Sequence, residues 1–294
     1  MSGVPKLFFD WYEASIEGTP SYVTEILCQA LQVGVLSDGK GMHGYDRRVR
    51  LGLFDARDRV ADVLSYDSPD KADQVHVISS GVMCDRVAKV LRAYWAGHKV
   101  SRVDVSLDML QAGAFDQVAG YALEVGKVCG VKSAPCIEDS LDMSAGRSQY
   151  IGSPKSTRQI IVYEKGKQLL GQGIEVDPLW VRMELTTRPQ SKYKRHYAAL
   201  TPMQIAAESP VMAKLIERFA ARAGERIPYP TFHVNTSVES LAAMLMQYRR
   251  PLRTWLREEC GGDAQVMVNR LLEAVESDVG TVGMMRLLTG AHLG

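Results

Sequence analysis

Val100-Ser-Arg-Val-Asp-Val-Ser-Leu-Asp108 alternates with a period of two: Val103, Val105 and Leu107 fall on one side, Arg102, Asp104, Ser106 and Asp108 on the other. Successive side chains of a β-strand point to opposite faces, so this stretch offers one side to a core and keeps the other polar. Trp180-Val-Arg-Met-Glu-Leu-Thr-Thr-Arg188 repeats the pattern, with Val181, Met183 and Leu185 opposed to Arg182, Glu184, Thr186 and Arg188, and Pro189 ends it. Arg158-Gln-Ile-Ile-Val-Tyr-Glu-Lys-Gly-Lys-Gln168, read as a strand, sets Ile160 and Val162 against Ile161, Tyr163, Lys165 and Lys167. Antiparallel sheets covered on one side give such alternation. The expected fold class is therefore α+β: an antiparallel sheet core, helices packed on one side, and a helical C-terminal region.

Outward from these three strands, Lys6–Glu17 reads as an opening strand, and Gly18-Thr-Pro-Ser21 caps a helix over Tyr22–Val33. Gly39–Gly44 reads as a loop, Arg47–Asp55, Arg59–Tyr66 and Gln74–Ser79 as strands, and Val82–Trp95 and Ala114–Cys129 as helices. Ala134–Gly146 is an acidic loop, and Arg147–Gly152 opens a hairpin. From Ser191 the pattern is helical, with candidates over Lys192–Leu200, Pro202–Glu208, Pro210–Gly224, Val238–Glu259, Ala264–Ser277 and Thr281–Thr289. Two regions are expected: residues 1–200 as an α+β domain, and 201–294 as a helical region for recognition or dimerisation. Arg226–His233 is the most linker-like stretch, and no short-period repeat is visible.

At 294 residues, 46% hydrophobic and 23% charged, the chain has the make-up of a soluble globular protein. No apolar run approaches the roughly 20 residues that span a bilayer. Five cysteines without a C-x-x-C pair suit reduced thiols and a cytoplasmic setting. Six histidines without an H-x-H or H-E-x-x-H pair argue against a histidine-built metal site. The net charge of +1 conceals a local excess: Ala145–Leu200 holds ten Lys/Arg against four acids. Such an excess suits a polyanion, with Arg102, Lys155, Arg158, Arg182, Arg188, Lys192, Lys194 and Arg195 as the expected DNA contacts.

The polar front carries parts for phosphoryl chemistry. Asp104 and Asp108 on one strand and Glu184 on another are oxygen ligands for a hard cation, Mg²⁺ or Mn²⁺. Taken singly, Asp104 and Glu184 read more plainly as ion-pair partners of Arg102 and Arg182, two residues away. A tyrosine hydroxyl with an ordinary pKa of about 10 is a weak nucleophile. Lys165 and Lys167 would favour the phenolate of Tyr163, and the metal would polarise a phosphate oxygen. In-line attack would leave a covalent phosphotyrosine and a free hydroxyl. Tyr150 is the rival nucleophile.

Ser148-Gln-Tyr-Ile-Gly-Ser-Pro-Lys-Ser156, Ile161-Val-Tyr-Glu-Lys-Gly-Lys-Gln168 and Trp180-Val-Arg-Met-Glu-Leu185 together resemble, in order, the signatures of the replication initiation factor family, the rolling-circle initiators of filamentous phages and small plasmids. Asp10-Trp-Tyr12, Arg102-Val-Asp104 and Gly113-Ala-Phe-Asp116 are similar to its phage branch, and the likeness covers roughly residues 6–205. It implies an enzyme that nicks and religates one strand at an origin, holds the 5′ phosphate on tyrosine and leaves a 3′ hydroxyl primer. It also implies Tyr163 as nucleophile and Asp104 and Glu184 as metal ligands. Plasmid members tend to have Glu where Gln168 stands, so a third carboxylate would come from Asp108. Implied partners are double- and single-stranded origin DNA, a host polymerase, and a recruited host helicase, since the chain has no G-x-x-x-x-G-K-[ST] loop. A homodimer and the absence of a membrane association complete the expectation. A DNA-binding regulator without cleavage is the alternative from another class.

Overall fold

The computed structural model describes residues 7–53, 58–137, 146–219 and 249–276. The chain divides into two compact units, Met1–His233 and Val234–Gly294. The first opens with β1 (Phe8–Glu17), α1 (Pro20–Leu31), β2 (Gly34–Lys40), β3 (Arg47–Leu53), β4 (Asp58–Ser65), β5 (Gln74–Ser80) and α2 (Cys84–Tyr94). It continues with β6 (Lys99–Leu110), α3 (Ala114–Val128), β7 (Ser148–Ile151), β8 (Arg158–Tyr163), α4 (Lys165–Leu170), β9 (Trp180–Thr187), α5 (Lys194–Ala199), α6 (Pro202–Ala207) and α7 (Pro210–Phe219).

Among the described residues, nine strands form one sheet in the order β2-β3-β4-β5-β1-β6-β9-β8-β7. Every neighbouring pair is antiparallel. The expected α+β class is what the chain adopts. Val103, Val105, Leu107, Val162, Met183 and Leu185 are buried behind the sheet. There α1, α2, α3, α5 and α6 cover the strands, and α7 packs on α3. Helix α1 starts where expected, with the Thr19 side chain accepting from the Tyr22 amide and Pro20 in the first turn.

The order of elements repeats. The run β1-α1-β3-β4-β5-α2 is followed by β6-α3-β7-β8-β9-α5, and the sheet order mirrors about the β1–β6 pair, with β5 facing β9, β4 facing β8 and β3 facing β7. Strand β2 is the addition in the first half, and helix α4, between β8 and β9, the addition in the second. The repeat lies in the topology and leaves no short-period signature in the residues.

Several expectations change. Gly34–Lys40 is a strand, although no element was expected directly after the helix ending at Val33 and Gly39 onward was expected to be loop. The largest correction is Lys165–Leu170: β8 stops at Tyr163 and α4 begins two residues later, so Lys165 and Lys167 are not strand residues sharing a face with Tyr163. Gly166 permits this packing, because a Cβ there would stand 2.1 Å from the Asp177 carbonyl oxygen. Helices α6 and α7 belong with the first unit, not with the C-terminal region.

In the second unit, helices cover Arg249–Glu258 and Ala264–Glu276. Asp263 caps the latter, accepting from the Gln265 amide at 2.8 Å. The expected helices over Thr281–Thr289 and the start of Val238–Glu259, and the linker Arg226–His233, lie outside the described residues. All five cysteines are free thiols. Among the described residues, no helix is long and apolar enough to cross a membrane.

The Gly166 contact yields a direct prediction. Gly166→Ala must displace α4 or the Asp177 loop, at an expected cost of about 1–3 kcal/mol, the range for overpacked sites. Chemical denaturation of the two proteins measures it, and an unchanged midpoint would mean that this approach does not constrain the turn.

Candidate active site

Pairing register sets the front of the sheet. Asp108 stands opposite Arg182, and Arg182 opposite Tyr163; one row along, Ser106 stands opposite Glu184, and Glu184 opposite Ile161. Strand β1 joins them through a register shift between Phe9 and Trp11 against β6. The shift sends both Asp10 and Trp11 to the front, where Asp10 meets Arg182 and Trp11 meets Arg102.

Arg182 is the hub. Its Nε and one terminal nitrogen donate to the two Asp108 carboxylate oxygens at 2.7 and 2.9 Å, and the other donates to Asp10 at 2.8 Å. The guanidinium lies 5.2 Å from both the Phe8 and the Trp180 ring centroids. Arg182 and Asp108 are buried, at 0% and 1% exposure. Burial opposes the Arg182 charge, but Asp10 and Asp108 hold the guanidinium protonated well above its ordinary range. Arg182 was expected to face DNA phosphates; it forms the floor of the site instead.

Tyr163 donates its hydroxyl hydrogen bond to Glu184 Oε2 at 3.2 Å. Its ring is 8% exposed, and the Lys165 ammonium lies 5.6 Å from the ring centroid while also donating to Gln168 Oε1 at 3.1 Å. Helix α4 thus carries Lys165 back over the tyrosine that precedes it by two residues. A brace fixes this turn. Arg147 bonds Glu164 and Asp116 together, and Lys167 pairs with Glu164 at 3.0 Å. Although burial works the other way, Arg147 and Lys167 keep Glu164 below the usual carboxylate range. Lys167 therefore supports the backbone beside the site, with its charge spent on Glu164.

The acids are short of positive charge. Burial, then Asp104 and Asp10, push the Glu184 carboxyl up to about 8. Part of that side chain reaches solvent, but its carboxyl group lies against the Tyr163 hydroxyl with two other acids near. Burial also lifts Asp104 above its ordinary range, in spite of the paired bonds from Arg102 at 2.6 and 3.1 Å. Lys165 is brought down to about 8, first by burial and then by Arg182.

Asp104 and Asp108 each give both oxygens to an arginine, so Glu184 is the expected ligand that bonds no guanidinium. Among the described residues, no three His, Cys, Asp or Glu side chains are gathered to hold a metal ion. Tyr150 is half-buried on the edge strand β7, opposite Ile161. Of the expected DNA contacts, Lys155, Lys192 and Arg195 are exposed, and Arg188 and Lys194 half-buried. Arg158 bonds Tyr197 and Glu208.

Asp10 was noted in the sequence only within the Asp10-Trp-Tyr12 motif and Arg147 only as the start of a hairpin, neither with a role in the site. Asp10 reaches the site only through the register shift, which no local pattern announces. Arg147 sits at the start of a hairpin, where a lone arginine carries no signal.

No protein-family model matches the chain, and no curated protein matches it. Among solved structures, the rolling circle replication initiator protein from Geobacillus stearothermophilus aligns over 80% of this chain and 90% of that one, at 19% identity and a TM-score of 0.47. The regulatory subunit of aspartate kinase from Thermus flavus aligns over 74% and 97%, at 9% identity and a TM-score of 0.18. Both are distant likenesses, and the chemistry of this chain rests on its own residues.

The Glu184 shift has a definite sign. A folded-state acid raised from 4.5 to about 8 keeps a proton that the unfolded chain has lost, so stability falls as pH climbs through that window. In metal-free buffer, Glu184→Gln is expected to flatten this fall and to be the more stable protein above pH 8. Denaturation midpoints at pH 5, 7 and 9 test it; parallel curves for both proteins would contradict it.

Proposed function

We propose that this chain initiates rolling-circle DNA replication by nicking and religating one strand through Tyr163. The observation that carries the reading is the Tyr163 hydroxyl bonded to a Glu184 carboxyl whose pKa lies near 8, with the Lys165 ammonium beside the ring. The ordered motif resemblance, which covers the same strands, adds to it.

In the proposed step, ionised Glu184 takes the phenolic proton as the Tyr163 oxygen bonds to phosphorus. The bond from phosphorus to the 3′ oxygen breaks, and that oxygen takes a proton from water to become the primer hydroxyl. A phosphotyrosine on the 5′ end remains. Lys165 offsets negative charge on the phenolate and on the phosphate. Religation reverses these transfers, with Glu184 returning the proton. Arg182 takes no part in bonding the phosphate; it fixes Asp108 and Asp10 and so the strands that carry Tyr163 and Glu184.

The raised acidities of Glu184 and Asp104 mark an excess of negative charge that suits a divalent cation. We assign Glu184 and Asp104 as its holders, with water and phosphate oxygens completing the shell, as Mg²⁺ sites with one or two carboxylates do. Bound there, Mg²⁺ or Mn²⁺ would polarise the scissile phosphate. Asp108 is left out of this set, since the Arg182 that holds both its oxygens is fully buried, whereas the Arg102 that holds Asp104 is partly exposed and can swing aside to release it. Origin DNA is the proposed substrate, with a host helicase and polymerase acting on the product.

A DNA-binding regulator without cleavage is favoured by one observation, the absence among the described residues of a three-ligand metal group. Supercoiled origin DNA incubated with Mg²⁺ separates the two: nicked circles bearing covalent protein support the enzyme, and bound but intact circles the regulator.

Two outcomes are expected for the enzyme. Tyr163→Phe loses covalent capture of an origin oligonucleotide entirely, whereas Tyr150→Phe retains it; the opposite result would transfer the role to Tyr150. Bound metal would draw Glu184 below its metal-free value of about 8, whereas Lys165 loses its charge at about 8, so the single-turnover rate should hold near neutral pH and fall above about pH 8. A flat profile between pH 6 and 9 would rule out this pairing of base and cation.

A further inference from the structure

The mirrored topology gives the sheet a second front, over β3, β4, β5 and β1, continuous with the candidate active site across β6. That front differs in its side chains from the one beside it. Strand β4 presents Asp62 and Leu64 there, and β5 presents His76, Ile78 and Ser80, with Tyr45 stacked on His76 at a centroid distance of 5.4 Å. What it carries instead is cationic and aromatic. Arg50 and Arg59 both reach the buried Asp62, at 3.4 and 3.3 Å, so two guanidiniums share one carboxylate. Among the described residues, Arg48, two residues before Arg50 on the same face, bonds the Met42 sulfur at 3.7 Å. The Trp11 ring centroid is 4.7 Å from the Arg102 guanidinium and 6.0 Å from that of Arg59. Its Nε1 is tied to Glu13 at 2.7 Å, which fixes the plane of the ring.

We propose that this front binds single-stranded DNA, with Arg48, Arg50 and Arg59 receiving backbone phosphates and Trp11 stacking a base beside the cleavage site. Charge complementarity supports it: three arginines stand against two acids, Asp62 and Glu13, with Glu13 bonded to Trp11 and paired with His76, and Arg50 spends only its Nε on Asp62. Arg102 links the two fronts, since the guanidinium that faces Trp11 also holds Asp104. Strands are spaced about 4.8 Å apart, so β3 to β6 spans roughly 19 Å, room for several nucleotides of an extended strand. Backbone cations with an aromatic platform are the usual means of holding a single strand without reading its sequence.

The inference rests on the DNA-nicking reading, and its test separates the two. The probe is a fluorescent oligo-dT 20-mer, titrated by anisotropy into Tyr163→Phe protein, which cannot cleave. Arg48→Ala and Arg50→Ala are each expected to weaken binding about three- to tenfold and to lower the slope of log affinity against log salt by about 0.7. Arg50→Lys should restore most of the affinity. Trp11→Phe, which keeps an aromatic ring where alanine could collapse the strand, is expected to weaken binding severalfold with an unchanged salt slope. Affinity and slope unchanged in the arginine variants would overturn the proposal, as would duplex binding that these variants weaken while single-strand binding stays intact. If the same variants, with Tyr163 restored, still capture an origin oligonucleotide at full rate and affinity, this front is not the strand's path and the nicking reading stands. Absence of capture by the otherwise unaltered protein would instead remove the nicking reading.

Discussion

The front of this sheet depends on one buried guanidinium. Arg182 ties β9 to β6 through Asp108 and reaches β1 through Asp10, with aromatic rings from β1 and β9 beside it. Breaking such a pair by removing one partner costs about 3–5 kcal/mol, because the other charge stays buried. That cost makes the geometry all-or-none: the three central strands hold their register, or the cluster comes apart. Glu184 and Tyr163 flank Arg182 along and across the strand, so their 3.2 Å contact inherits that rigidity.

Around this fixed hub the ionisable groups are arranged in tension. Arg182 satisfies Asp108 and Asp10, and Arg102 satisfies Asp104, leaving Glu184 to share its proton with a tyrosine. The same Arg182 charge, together with burial, weakens the hold of Lys165 on its own proton. A base made stronger and an ammonium made more acidic thus meet at one tyrosine, the base at its hydroxyl and the ammonium near its ring. The turn that brings Lys165 there is held separately, by Arg147 and Glu164 on one side and by the close approach of Gly166 to Asp177 on the other.

Much of the sheet was legible in the residues because burial imposes alternation. Val103, Val105 and Leu107, and likewise Val181, Met183 and Leu185, could face only one way. The polar partners of those positions were legible as a set, but their pairings were not. Asp104 with Arg102 follows the two-residue spacing, whereas Arg182 passes over Glu184, two residues away, for Asp108 and Asp10 on other strands. Register and a β1 irregularity decide that choice, and both are long-range. Lys165 misled for a different reason: Tyr-Glu-Lys-Gly-Lys continues the alternation of β8, and only packing against Asp177 turns it into helix. Strand β2 was obscured by glycines at its start and near its end, Gly34 and Gly39, which read as breaks. The mirrored halves share an element order without a sequence signature, so no scan for repeats could find them.

The duplication has a consequence for how the chain is made. Synthesis from the N-terminus delivers β1 through α2 before any of β6, so a nearly complete half-sheet stands for a time with β1 as its open border. An unpaired edge of this kind invites pairing with another chain. The charged Glu13 on that border is a feature that blunts such an edge, and the same side chain orients Trp11 in the finished sheet.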